Sequence, residues 1–240
     1  MKQFTNFSIL IALFSTVILN ACSKKNSAAN KNYRIITVNY PAGILYNFTY
    51  TVDGKLRTVT YGNYATIFEY YPNHVVSTTF YSGIFNKKET ITLNSTGLAT
   101  NVRLEPGPSG ETWGNFIYEY NGEQLIKRTF TSSTAGTPTV LVYNWTNGNN
   151  SSQYIDGKLF IQYEYYTDNG IQTGELNYLK QQFINGYEVL RNKNLTKVST
   201  YSTGSKEYFT YAFDAAGKIT TATFQAGTTI INYNYQYQCN

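Results

Sequence analysis

The sequence predicts an all-β domain, an antiparallel meander of hairpins that forms one strongly twisted, coiled and partly closed sheet. Short runs rich in Tyr, Phe, Thr and Val alternate with Asp-Gly and Asn-Gly pairs, which make tight hairpin turns because both residues tolerate positive φ. The 24 tyrosines favour a sheet that is not deeply buried on both faces, because a tyrosine ring packs while its hydroxyl stays in water.

A phrase of the form aromatic-x-Tyr-x-x-Asp or Asn, followed by glycine and an aliphatic residue, recurs along the chain. Copies occupy residues 48–56, 116–125 and 209–219, with partial copies at 92–102 and 154–160. The predicted turn residues are Asp53, Gly54, Asn121, Gly122, Asp156, Gly157, Asp214 and Gly217. After the turn, the aliphatic residue and the next residue of the pattern are three positions apart, whereas the residues that follow alternate every two positions. This spacing predicts a β-bulge, or an aliphatic residue that packs under the turn.

This phrase resembles the tyrosine–aspartate (YD) repeats of Rhs-type shell proteins. Over residues 45–238 the order of the copies is similar to that of an uncharacterised Bacteroidota lipoprotein family built from degenerate YD-like hairpins. That family carries a domain-of-unknown-function label, so the resemblance implies a hairpin-repeat fold and assigns no catalytic residue.

Residues 175–184 are the segment that predicts a short helix. Leu176, Leu179 and Phe183 fall on one face at spacings i, i+3 and i+7, and Asn185-Gly186 ends the pattern. We expect this helix to act as a plug that covers an open end or the concave face of the sheet.

Residues 1–21 predict a lipoprotein signal peptide. The apolar run at residues 7–19 is too short to span a bilayer core of about 30 Å. It ends in Leu-Asn-Ala-Cys, which resembles the bacterial lipobox, whose cysteine becomes the lipid-modified first residue. The alternative is a plain secretory signal with a coincidental cysteine at Cys22. Residues 22–32 are polar and predict a flexible tether, which leaves 33–240 as a single domain.

The residues after Cys22 indicate the location of the domain. Ser23, with no aspartate after the cysteine, resembles the pattern of outer-membrane lipoproteins. Lys24 and Lys25 stand where surface-exported lipoproteins of Bacteroidota usually carry acidic residues. We therefore expect an outer-membrane protein anchored through lipid on Cys22, with its domain facing the periplasm rather than the cell surface.

Composition argues against several classes of protein. The formal net charge of +5 is spread along the chain without the basic stripe of a nucleic-acid-binding protein. With Cys22 lipidated, Cys239 has no partner, which excludes a disulfide framework and a cysteine metal site. Cys239 is then either a half-buried thiol at a strand end or a functional thiol. We expect a monomer with no cofactor and no metal ion.

Candidate catalytic residues are few. His74 is the only histidine and follows Pro-Asn at a turn, so any Ser-His-Asp triad or histidine metal site would depend on it alone. Asp53, Asp156 and Asp214 are explained as turn residues. The glutamates are scattered, and nothing sets up the facing carboxylates of a glycosidase. We expect no enzyme; a carboxylate-dependent hydrolase is the weaker alternative.

The anchor and the tyrosine-rich sheet favour a non-catalytic envelope lipoprotein that binds or scaffolds another macromolecule, an envelope protein or a glycan. The alternative is a glycan-binding lipoprotein that uses exposed aromatic side chains around Trp113, which lies in a Pro- and Gly-rich loop of the kind that carries function. Trp113 could instead pin this loop to the sheet. A continuous solvent-facing aromatic strip would favour binding, and a filled interior would favour a scaffold.

Overall fold

The computed structural model describes residues 33–239, apart from the side chains of Gln181 and Cys239. The predicted signal peptide, the lipidation site Cys22 and the tether at 22–32 lie outside the described residues. The described chain forms sixteen strands. They are β1 Tyr33–Asn39, β2 Leu45–Tyr50, β3 Leu56–Tyr61, β4 Tyr64–Tyr70, β5 His74–Tyr81, β6 Ile84–Leu93, β7 Ala99–Glu105, β8 Gly114–Asn121, β9 Gln124–Ser132, β10 Thr139–Thr146, β11 Asn149–Ile155, β12 Lys158–Gly170, β13 Asn194–Tyr201, β14 Lys206–Phe213, β15 Ile219–Ala226 and β16 Thr229–Cys239.

The sheet is an antiparallel meander, as predicted, and it closes into a barrel. Each strand pairs with its neighbours in sequence, and β1 pairs with β16 from Tyr33↔Cys239 to Asn39↔Asn234. The expectation of a partly closed sheet is therefore wrong. Hairpin signals specify only neighbouring strands, whereas closure joins strands at opposite ends of the chain. Closure removes two edges whose backbone groups would otherwise stay unpaired.

The strand β11 is not predicted by propensity or alternation. Its sequence, Asn-Asn-Ser-Ser-Gln-Tyr-Ile, begins with residues that are poor strand formers. The strand forms because β10 and β12 pair with it on both sides. Asn150 and Gln153 are buried in the barrel, and the Asn150 N–H donates to the Asn192 side chain of the plug described below.

The hairpin turns alternate between the two ends of the barrel because the strands follow one another in a meander. The turns that follow β2, β6, β8 and β14 lie at one end, and this end also receives the long connection 171–193 between β12 and β13. We call it the plugged end. The turns that follow β1, β3, β5, β7 and β11 lie at the other end, which we call the mouth.

The turns that begin at Thr51, Asn94 and Asp214 share one backbone geometry. In each turn, the backbone N–H of the first residue donates to the backbone carbonyl of the fifth residue. The N–H of the glycine at the fourth position donates to the carbonyl of the first residue. Each first residue accepts the fifth N–H with its side-chain oxygen. The glycines have φ between +80° and +88°. The residue equivalent to Asp214 is thus Thr51, not Asp53, whose carboxylate instead pairs with Lys55 at 3.1 Å.

The other predicted turns are two-residue turns. Asp156 and Gly157 have φ of 48° and 81°, the positive values of a type I′ hairpin turn. The Asp156 carboxylate accepts the N–H of Val140 at 2.9 Å, so it ties the mouth-end turn to β10. At the plugged end, Asn121 is the last residue of β8, and Gly122 with φ of 60° begins the turn.

The pairing register contains the bulge that the sequence predicts after the turns. Tyr50 pairs with Leu56 while Thr49 pairs with Thr58, so Arg57 is the extra residue of β3. The equivalent shifts occur at Thr100, Ile126 and Thr220. Each bulge lets the aliphatic residue after the turn face the interior together with the residue three positions on.

The predicted helix is present as two consecutive turns of helix, α1 at Leu176–Tyr178 and a π-helix at Leu179–Phe183. Leu176 and Leu179 are fully buried, and the Phe183 ring lies 5.1 Å from the Phe48 ring of the barrel wall. The π-turn is closed by the Ile184 N–H, which donates to the Leu179 carbonyl. The connection 171–193 is therefore a plug inside the barrel, which refines the predicted covering role.

We expect Gly217→Val to lower the free energy of unfolding by about 1 kcal/mol or more, because a β-branched residue is strained at φ of +80°. Gly54→Val should cost a similar amount, because φ there is +88° and the Arg34 guanidinium, which an added Cβ would overlap, is the end of a flexible side chain that can move aside. Urea unfolding of both variants checks this, with Gly107→Ala as the control, where φ is not left-handed and the added Cβ meets open space. Unchanged midpoints in both valine variants would contradict the turn assignment.

Candidate ligand site in the barrel lumen

The two faces of the barrel wall differ in polarity. Inward positions are mainly apolar and buried, for example Phe48, Val59, Phe68, Val75 and Ile91. Outward positions are mainly polar and form cross-strand pairs such as Thr49–Thr58, Thr221–Asn234 and Thr223–Asn232, with single apolar residues between them. A barrel that crosses a membrane has the opposite pattern, with an outer apolar band about 25 Å tall.

The plug begins at a buried carboxyl group, that of Glu175, which is 1% exposed. One carboxylate oxygen accepts the Tyr178 N–H and caps α1; the other accepts the Tyr211 hydroxyl at 3.2 Å. Burial raises the pKa of Glu175, and the hydrogen bonds from Tyr178, Thr196 and Tyr211 partly oppose that rise. Burial also raises the pKa of the Tyr211 hydroxyl, and its contact with Glu175 raises that pKa further.

A polar cavity of about 20 Å³ lies beside Glu175, large enough for about one water molecule. Its polar lining comes from β11, the plug and β13, including Asn150, Gln153, Asn192 and Thr196. Glu175 is the one carboxylate of its described lining. A glycosidase pair needs two carboxylates that face each other, so the cavity has the character of a structural water site. Its polar walls also explain why β11 is polar.

Six tyrosines form a continuous chain of ring contacts on the inner wall. We call this set the tyrosine ladder. In order, it consists of Tyr233, Tyr40, Tyr46, Tyr61, Tyr64 and Tyr81. Successive ring centroids are 4.4 to 4.9 Å apart. The ladder is the aromatic strip that the sequence could not locate.

The pairing register produces this ladder. Tyr46 pairs with Tyr61, Tyr61 with Tyr64 and Tyr64 with Tyr81. Directly opposed residues share a face, and adjacent strands are about 4.8 Å apart, which matches the ring spacing. The residues flank the turns at the mouth, and Tyr81 is 46% exposed. The ladder thus lines the inner wall from mid-height to the mouth.

The ladder presents hydroxyl groups and ring edges rather than ring faces. The Tyr46 and Tyr61 planes are 14° apart and the Tyr61 and Tyr64 planes 18° apart, so these rings cover one another's faces. Burial raises the pKa of Tyr40, Tyr46 and Tyr61. Their hydroxyls therefore remain neutral hydrogen-bond donors well above neutral pH.

A cation from the plug stands next to the ladder. The Nζ atom of Lys180 lies 5.2 Å from the Phe224 ring centroid and 5.3 Å from that of Tyr233, both on the inner wall. Lys180 is nevertheless exposed. Water therefore reaches the interior above the plug, and the space between plug and mouth is a cup with an aromatic wall and a cation at its floor.

Trp113, the ligand contact suggested by the sequence, lies on the outer side of the barrel. The Arg103 guanidinium sits 5.2 Å over the Trp113 ring, and the backbone N–H of Trp113 donates to the Ser133 hydroxyl at 3.0 Å. The Ser133 N–H donates back to the Trp113 carbonyl. These contacts pin two mouth-end loops together and match the structural interpretation of Trp113.

The structure does not bring the remaining candidate residues to the cup. His74 lies at a plugged-end turn, stacked on Tyr71 with ring centroids 4.5 Å apart and bonded to the Asn73 side chain. The predicted turn residues lie in or directly beside their turns, and the thiol of Cys239 lies outside what the structure describes. Across residues 33–239, no group of three or more His, Cys, Asp or Glu side chains is placed to hold a metal ion.

Sequence reasoning missed the ladder, although one signal was present. Tyr61 and Tyr64 flank Gly62-Asn63, and Tyr81 directly precedes Ser82-Gly83, so each ends or begins a strand at a turn. Residues that flank a two-residue turn face each other across the hairpin. The link from one hairpin to the next depends on register, which the sequence does not display.

Comparison with family models and with curated proteins gives no match. Solved structures do match. A porin-like protein from Bacteroides uniformis is 16% identical, with a TM-score of 0.63 over 85% of this chain and 96% of that one. A porin-like protein from Bacteroides vulgatus is 12% identical, with a TM-score of 0.59 over 85% and 98%. The shared feature is the fold, and the closed barrel is compatible with a location at the outer membrane. Within residues 33–239, no helix is long and apolar enough to cross a bilayer.

We expect Glu175→Gln to become more stable than the unmodified protein as pH rises. Burial raises the pKa of Glu175 in the folded state. The contribution of this carboxyl group to folding stability is therefore fully present below its unfolded-state pKa of about 4.3. That contribution is lost as the pH rises through the folded-state pKa. Glutamine removes this titration and keeps an oxygen to cap α1. Thermal melts from pH 4 to pH 8 check the prediction.

Glu175→Ala is the control for the cap itself. It should cost about 1 kcal/mol or more at every pH, because the Tyr178 N–H loses its acceptor. A difference between Glu175→Gln and the unmodified protein that stays constant over this pH range would contradict the buried-carboxylate assignment.

Proposed function

We propose that this protein is a non-catalytic, lipid-anchored envelope protein that binds a ligand in the cup between the plug and the mouth. The observation that carries the proposal is the exposure of Lys180 inside a barrel whose wall holds the tyrosine ladder. A wholly filled interior would leave no solvent at that ammonium group. The glycan-binding alternative thereby moves from Trp113 to the lumen.

The position of the first strand supports an orientation for this protein on the membrane. The Tyr33 ring, at the start of β1, lies 3.9 Å from the Nζ atom of Lys218, which belongs to the plugged-end turn after β14. The tether 22–32 would reach at most roughly 35 Å at the extended length of about 3.5 Å per residue. Lipid on Cys22 would therefore hold the plugged end towards the bilayer and point the mouth away.

The polar outer face supports a barrel that stands beside the bilayer rather than within it. Outward threonine and asparagine pairs such as Thr223–Asn232 are suited to water and would be costly in hydrocarbon. This agrees with the expectation of a lipid anchor and a periplasm-facing domain. A scaffold that uses this outer face is the second candidate, favoured by the extent of that polar surface.

The anchoring proposal predicts that depth in the membrane depends on the end of the barrel. In a Cys239→Ser background, a fluorophore on Ala215→Cys at the plugged end should be quenched by spin-labelled lipid headgroups in vesicles. A fluorophore on Asn63→Cys at the mouth should not be quenched. Cys22→Ala should release the protein from the vesicles. Equal quenching at both positions, or membrane retention of Cys22→Ala, would count against the orientation.

The binding proposal predicts that bound material depends on the ladder. Native mass spectrometry of the lipidated protein taken from its own envelope should show an additional non-covalent mass. Tyr61→Ala/Tyr64→Ala should lose that mass, because the wall of the cup is removed, while the melting temperature is recorded alongside. Trp113→Ala is the matched aromatic control on the outer side and should keep it. Loss in Trp113→Ala alone, or the same mass in all three proteins, would refute lumenal binding.

A further inference from the structure

We infer that the ligand of the cup is an acidic oligosaccharide, a chain of hydroxyl-rich units that carries carboxylate or sulfate groups. This inference rests on the proposed lumenal binding site and deepens it. It combines three features of the lumen: the row of phenol hydroxyls, the covered ring faces and the exposed ammonium group of Lys180.

The tyrosine ladder offers a regular row of hydrogen-bonding groups. Its rings repeat at 4.4 to 4.9 Å, and six of them extend over roughly 20 Å at the spacing of adjacent strands. The hydroxyls of Tyr46, Tyr61 and Tyr64 form no hydrogen bond to another residue that the structure describes. A phenol hydroxyl both donates and accepts, so the row matches a chain that repeats hydroxyl and ring oxygens.

The geometry of the rings selects among oxygen-rich ligands. Neutral sugars are held by stacking their C–H faces on open aromatic faces, but in the ladder the faces of Tyr46, Tyr61 and Tyr64 cover one another. What remains towards the lumen is ring edges and hydroxyls. The edge of an aromatic ring is its positive part, so both groups favour negatively charged oxygen atoms.

The charged side chains on inward positions add to this preference. Lys87 is paired with Glu89 at 2.9 Å, which neutralises both. The Arg128 guanidinium lies 5.5 Å over the Phe116 ring, and its Nε atom is buried without a hydrogen-bond partner. Among the described residues, no carboxylate lies within ion-pair distance of Arg128.

One further carboxylate faces the lumen, that of Glu207, directly opposite Ser199 of β13. Burial raises the pKa of the Tyr201 hydroxyl, and the nearby Glu207 carboxylate adds to that rise. Lys87 and Glu89 neutralise each other, and the carboxylates of Glu207 and of the buried Glu175 stand against Arg128 and Lys180. The preference for an anion therefore rests on Lys180, which is exposed and forms no ion pair with a carboxylate that the structure describes. Its position inside the barrel strengthens its attraction for an anion relative to bulk water, so a chain with acidic groups is favoured over a neutral one.

Titration calorimetry with three probes tests the inference: oligogalacturonides, neutral cello-oligosaccharides of equal length and poly-glutamate. We expect the oligogalacturonides to bind about tenfold or more tightly than the neutral chains, the factor that one favourable charged contact supplies. Binding should weaken with added salt. Tighter binding of poly-glutamate would assign the cup to an acidic peptide and overturn the inference, as would a failure of every probe to bind.

Variants locate the effect. Lys180→Gln should weaken oligogalacturonide binding about tenfold and leave cello-oligosaccharide binding unchanged, whereas Lys180→Arg should retain both. Lys127→Gln is the matched control, because Lys127 faces outward and pairs with Glu119. Tyr61→Phe/Tyr64→Phe keeps the stacked rings, so the melt should be unchanged while affinity falls several-fold through loss of two hydroxyls. Full affinity in Lys180→Gln would refute the role of charge.

The outcomes separate the two proposals. Preferential binding of neutral chains that Tyr61→Ala/Tyr64→Ala abolishes would keep lumenal binding and overturn the acidic specificity. A bound envelope-derived mass that the same double substitution leaves in place would overturn lumenal binding itself.

Discussion

The pairing of β1 with β16 is the interaction on which the rest of the structure depends. It turns sixteen consecutive strands into a closed wall and removes both free edges. A barrel of this strand number encloses more space than the side chains of its wall can fill, and barrels of this size in membranes hold an aqueous channel. The chain has to fill this interior or leave it to water, and it does both, at different heights.

The lower part of the interior is filled by residues 171–193. This segment brings backbone groups into the core, and their hydrogen bonds have to be met there. Glu175 caps the short helix, Gln182 accepts the N–H groups of Val189 and Leu190, and the polar strand β11 faces the same region. The buried polar residues of this region are thus accounted for by the hydrogen bonds that the plug requires.

The upper part of the interior is lined but not filled. The tyrosines that flank the mouth-end turns stack along the wall, and the plug contributes Lys180 from below. The solved porin-like proteins from Bacteroides share the closed barrel. In the present chain the inward positions of the wall are mainly apolar and the outward positions mainly polar. A wall of that polarity suits a barrel that stands in water, with a cup that opens into water. Because β1 starts at the plugged end, an anchor on Cys22 would leave the cup facing away from the membrane.

The sequence by itself determined the features that are local along the chain. The Asp-Gly and Asn-Gly pairs, the step of three after the turns and the apolar spacing of Leu176, Leu179 and Phe183 are read over a few residues. Each locates a turn, a bulge or a helix that the structure contains, although Thr51 and not Asp53 caps the first of these turns. Closure, the strand β11 and the tyrosine ladder were decided only by tertiary structure. Each depends on which strands lie side by side and in which register, a relation between distant residues that alternation within one strand does not encode. For the same reason Trp113, conspicuous in sequence, lies outside, while tyrosines from five strands and from the turn after β1 meet to form the candidate site.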